Sequence, residues 1–100
     1  MSEWLLPALE ELDLSVARRI LEARHGWSAA QAVEVEQRYR RLLAALATYD
    51  PERQSLTLSR EVAQFWRTHI LFTGEYSEFC RKAYGRHVPY HLTAKDEVWD

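Results

Sequence analysis

One hundred residues, 47% of them apolar and 28% charged, make one domain with enough material for a core and too little charge for a disordered chain. Thirteen Lys plus Arg against 15 Asp plus Glu leave a formal net charge of −2, which excludes the basic stripe expected of a nucleic-acid-binding protein. A single cysteine, Cys80, excludes an intrachain disulfide.

The regular elements of the chain all read as helices. Pro7 suits the first turn of a short helix carrying Leu5, Leu6, Leu9 and Leu12. Asp13 or Ser15 offers an N-cap for a second helix, with Ala17, Ile20 and Leu21 at helical spacing and Gly26 as its stop signal. His25, next to that stop, suits a capping role in which the helix dipole favours its protonated form. Ser28 caps the longest predicted helix, Ala29 to Tyr49, whose stripe is Ala32, Val35, Tyr39, Leu42, Leu46 and Tyr49. Asp50-Pro51 ends it, because the residue before proline is driven out of helical geometry. The alternation of Glu34, Glu36, Arg38, Arg40 and Arg41 reads as a solvated face with intrahelical pairs.

Residues 51–58 read as a loop, with Leu56 and Leu58 tucked against the core. Ser59 caps a helix from Arg60 to about Leu71, with Val62, Phe65, Trp66, His69 and Ile70 on one face. Thr73 or Gly74 opens the last helix, with the stripe Tyr76, Phe79, Cys80 and Ala83, and Gly85 stands where a left-handed residue would end it. The Phe72–Gly74 link allows an antiparallel hairpin or a sharp bend. No alternating strand pattern occurs. The expectation is therefore an all-α bundle of four to five helices spanning residues 1–100, with residues 93–100 as a loose tail. No apolar run suits a signal peptide or a membrane span, so the expected location is cytoplasmic and no membrane partner is expected.

Candidate chemistry gathers in the C-terminal half. His69, Cys80, His87 and His91 are residue types that ligate zinc and other late transition metals. Pro89 lies between the two tail histidines, and the spacing matches no standard zinc-finger pattern. On apolar stripes, His69 and Cys80 equally suit core roles. A Cys80–His69 or Cys80–His87 pair could serve a nucleophile and base, but no glycine-rich oxyanion loop or protease signature accompanies it.

The segment Phe65-Trp66-Arg67-Thr68-His69-Ile70-Leu71, followed by Tyr76, Phe79-Cys80, Tyr84-Gly85 and His91, resembles the family of plant glycine-rich domain-containing proteins and its short bacterial members. That family's pattern is Trp-His-x-His-Ile-Leu, then a Tyr, a Cys, an aromatic-Gly pair and a downstream His. The matching positions are Trp66, His69, Ile70, Leu71, Tyr76, Cys80, Gly85 and His91, about a third of the chain. The resemblance implies metal or structural roles for the His and Cys residues and no activity. Arg67 replaces the family's first His, and two positions from His69 on a helix it lies off the same face.

Three functions follow as expectations. The first is a non-catalytic accessory or adaptor module that binds another protein or a peptide, with Trp4, Trp27 and Trp99 outside the helical stripes as candidate contacts. It needs no cofactor. The second is a protein binding a transition metal such as zinc through His69, Cys80, His87 and His91. The third is a small cysteine-dependent enzyme. Trp66, Tyr76 and Gly85 form the motif core in each case.

Overall fold

Five α-helices occupy the computed structural model, which describes residues 5–50 and 58–88: α1 Leu5–Glu11, α2 Ser15–His25, α3 Ala29–Ala45, α4 Arg60–Leu71 and α5 Thr73–Tyr84. Among the described residues there is no strand, so the all-α class holds. The helix ends follow local chemistry. Ser28 Oγ accepts the Gln31 backbone N–H at 3.0 Å, and Ser59 Oγ accepts that of Val62 at 3.2 Å, so each cap satisfies a donor that its first turn leaves open. Gly26 at φ 70° and Gly85 at φ 74° end α2 and α5 in the left-handed conformation that a β-carbon disfavours. Ser28→Ala should lower stability by about 1 kcal/mol, read as a shift of the urea midpoint at unchanged m-value.

Two boundaries differ from the sequence reading. α3 stops at Ala45 and tightens into a 3-10 turn, Leu46–Thr48, rather than running to Tyr49. Tyr49 is already extended, at φ −72° and ψ 131°, as the chain approaches the restricted Asp50-Pro51 step. At the start of α2, Leu14 holds the cap position, while the Asp13 carboxylate accepts the Ser15 N–H at 2.9 Å.

α3 packs on α4, α2 packs on both, and the first helix lies against the last. The core is centred on Trp66, Phe65, Tyr39, Tyr76, Leu21 and Leu43, all fully buried. Its polar atoms are joined across elements. Trp66 Nε1 donates to the Tyr76 hydroxyl at 2.9 Å, and that hydroxyl donates to the Val88 carbonyl at 2.6 Å. The Tyr84 hydroxyl donates to the Leu43 carbonyl, one of the four that the end of α3 leaves open. Only Phe72, at φ −88° and ψ 70°, separates α4 from α5, which is shorter than the loop of an antiparallel pair, so the link is a sharp bend. Among the described residues no helix is long and apolar enough to cross a membrane.

Candidate functional site

The candidate ligands fall in different surroundings. His69, in the last turn of α4, is 2% exposed. Its Nδ1 lies 2.7 Å from the Tyr39 hydroxyl on α3, and the rings of Tyr39 and Tyr76 meet it edge-on at 5.7 and 5.0 Å. Burial, with the charge of Arg40 as a smaller cause, lowers the His69 pKa to about 4, so the ring is neutral at physiological pH. Tyr39 is itself completely buried, and Nδ1 is its hydrogen-bond partner. If Nδ1 carried the proton, the phenol hydrogen would have no acceptor. The consistent assignment has the Tyr39 O–H donating to Nδ1 and the ring proton on Nε2. Among the described residues that Nε2 has no hydrogen-bond partner.

Cys80 is buried on α5, where burial raises its thiol pKa. Alkylation of native protein by iodoacetamide should therefore be much slower than alkylation in denaturant. Equal rates would show that the thiol is open and activated. His87 is exposed beyond Gly85, with its ring 5.6 Å from Tyr76, and His91 lies outside the described residues. Among those described, no three His, Cys, Asp or Glu side chains stand together as a metal-holding group. Trp27 is buried between α2 and α3, whereas Trp4 and Trp99 lie outside the described residues. Of the motif core, Trp66 and Tyr76 form the hydrogen-bonded pair of the interior, and Gly85 supplies the left-handed stop.

The sequence reading missed one cluster. Glu36 is buried rather than solvated. It accepts hydrogen bonds from Arg18 of α2 and, at 2.7 Å, from Arg40 one turn along α3. Arg40 reaches further, donating to the Leu9 and Leu12 carbonyls at 2.8 and 2.7 Å. Those carbonyls lie in and just after the last turn of α1, where i+4 helical partners are lacking and Leu9 has only the Leu12 N–H at 3.3 Å. One guanidinium thus ends α1 and pins it to α3. Glu34–Arg38, at 3.6 Å and exposed, is the kind of pair expected for the whole face.

With α1 pinned, an open groove of about 580 Å³ lies between the α1–α2 turn and α5. Ala8, Leu14, Ala17 and Phe79 give it an apolar lining, and His69 also lines it. Glu11, Asp13, Glu75 and Glu78 supply four carboxylates to the same lining, against the one ammonium of Lys82. The Ser15 backbone N–H holds Asp13 below the usual carboxylate range, and Arg81 does the same for Glu78. Lys82 stands 3.7 Å from Glu11. Gly74 sits on the wall, and a β-carbon there would meet no atom within 4 Å.

No curated protein and no solved structure matches the chain. The resemblance of Trp66 to His91 to the glycine-rich domain-containing family is overturned: the family model that matches residues 8–97 is a different one, described as UCP032817-like, and among the described residues the His/Cys cluster implied by the resemblance is not formed. Trp66, Tyr76 and Gly85 have packing and backbone roles here. With the greater part of its length inside that match, the chain belongs to the UCP032817-like family.

Proposed function

We propose that this protein is a small non-catalytic accessory module that binds a segment of another protein, or a peptide, in the groove between the α1–α2 turn and α5. The observation that supports this reading is His69. His69, whose neutral imidazole has a buried Nε2 without a hydrogen-bond partner among the described residues, lines an open groove together with apolar side chains, carboxylates and Lys82. A buried polar atom without a partner is costly. A segment that parts the groove wall and brings an acceptor to this atom removes that cost on binding. The apolar lining supplies the rest of the contact, in the manner of a groove that receives side chains of a partner segment.

The test is a peptide-display selection on the wild-type protein, followed by affinity measurement on wild type and Gly74→Trp. Gly74 lines the groove and a β-carbon there has open space around it, so an indole at this position should crowd the groove while the variant melts close to wild type. Selected peptides should lose at least about tenfold in affinity for Gly74→Trp, the equivalent of ~1.4 kcal/mol. Failure to select binders, or binders indifferent to the substitution, would refute the docking reading.

A further inference from the structure

We infer that the segment taken by this groove is basic: it sets an apolar side chain against Ala8, Ala17 and Phe79, places lysine or arginine at the carboxylate rim, and offers a backbone carbonyl to His69 Nε2. The inference rests on the docking reading and adds the chemistry of the partner. Two features define the segment: one sets its charge, the other the group it must bring to the imidazole. The first is charge. Glu11, Asp13, Glu75 and Glu78 are exposed; Lys82 faces Glu11 and Arg81 pairs with Glu78, which leaves the Asp13 and Glu75 carboxylates as the rim's excess charge, so an acidic segment would be repelled and a basic one steered in. The second is the hydrogen-bonding role of His69. With Tyr39 donating to Nδ1, the other ring nitrogen is a donor. It therefore needs an acceptor, and a lysine or arginine head group is a donor and cannot satisfy it. The cationic groups must then sit at the rim while an oxygen of the same segment meets the imidazole. A peptide with basic side chains and a free backbone carbonyl meets both demands, whereas a lone organic cation meets one.

The experiment uses two short synthetic peptides with the same leucine positions, one flanked by lysines and the other by glutamates. They are titrated into isotope-labelled protein and followed by NMR, including the imidazole nitrogens. The lysine peptide should shift resonances of Ala8, Ala17 and Phe79 and perturb the His69 Nε2–H signal, while the glutamate peptide leaves them in place. Affinity for the lysine peptide should fall about threefold to tenfold in Glu11→Gln/Glu75→Gln, which removes two rim charges and leaves the apolar lining intact, and it should weaken as salt is raised. Equal binding of the two peptides would overturn the inference. So would lysine-peptide shifts that spread over Glu34 and Glu61 and persist in Gly74→Trp, because they would report unspecific charge attraction. A concentration-dependent dimer abolished by Gly74→Trp would also overturn it by making a second copy of the chain the occupant. If the display selection yields groove binders that are neutral or acidic, docking stands and the basic partner falls, so the two failures are distinguishable.

Discussion

Arg40→Ala should destabilise the protein by about 2–3 kcal/mol and loosen α1 before any other helix. The guanidinium makes three contacts, one to the Glu36 carboxylate on its own helix and two across to the carbonyls of Leu9 and Leu12. Alanine leaves the Leu12 carbonyl to find water, leaves the Leu9 carbonyl only the Leu12 N–H at 3.3 Å, and leaves Glu36, with its side chain 10% exposed, to Arg18 alone. Part of the loss is recovered by solvent, since the Arg40 side chain is 30% exposed, and this holds the figure below that of a fully buried pair. Arg40→Lys should restore less than half of it, because an ammonium cannot span a carboxylate and two carbonyls in the planar fork that a guanidinium offers. Chemical denaturation measures the total. Native-state hydrogen exchange locates it: amides of α1 should lose protection in Arg40→Ala while those of α4 keep theirs relative to the new global stability. Uniform loss across all five helices would show that the residue does not pin α1 specifically.

Stability should also fall by about 3 kcal/mol between pH 6.5 and pH 4 because of His69 alone. Its folded-state pKa is about 4 against an ordinary 6.5. Above pH 6.5 the ring is neutral in both folded and unfolded chains, and the full stability is present. As pH drops below 6.5 the unfolded chain takes up a proton that the buried ring refuses. Each pH unit then costs about 1.4 kcal/mol, until the folded ring also titrates near pH 4. The groups around the ring do not offer a stable ion pair that would hold the proton: Tyr39 and Tyr76 face it from α3 and α5, and Arg40 opposes the charge. The groove carboxylates line its outer side and are common to every variant. His69→Asn retains an oxygen for the Tyr39 hydroxyl and does not titrate in this range. The variant should be less stable at pH 7, yet its urea midpoint should vary much less between pH 6.5 and 4.5 than that of wild type. Parallel pH profiles would assign the acid sensitivity elsewhere.

The fold was legible because its punctuation is local. Ser28, Ser59, Gly26 and Gly85 each mark a helix end through an interaction within a few residues of themselves, and the stripes through Tyr39 and Trp66 have the period of a helix. The groove was not legible for the opposite reason. Glu36 and Arg40 have the same spacing as the exposed Glu34 and Arg38, and what separates the pairs is the arrival of α1 and α2 over one of them. No spacing rule contains that information. Asp13 was readable as an N-cap candidate but not as part of a groove wall. His69 was readable as a residue on an apolar stripe. Its partner Tyr39 stands 30 positions away on another stripe, so the proton assignment that makes Nε2 a donor needed the packed structure. Trp27 fell outside every stripe because it belongs to the connection between two helices, and burial there leaves no period to detect.

The contact of the first helix with the last also bears on the order of assembly. Closing the chain end to end is entropically the most demanding step, and it is repaid only after α2 to α5 are in place to receive α1. The α4–α5 corner, with one residue between its helices, is by contrast nearly free of that cost. Contacts of α1 should therefore be absent from the folding transition state. In stopped-flow measurements Arg40→Ala should leave the refolding rate close to wild type and express its loss as faster unfolding. The walls of the groove come from the first and last of the described helices, so the groove should be the last part of the molecule to form and the first to come apart.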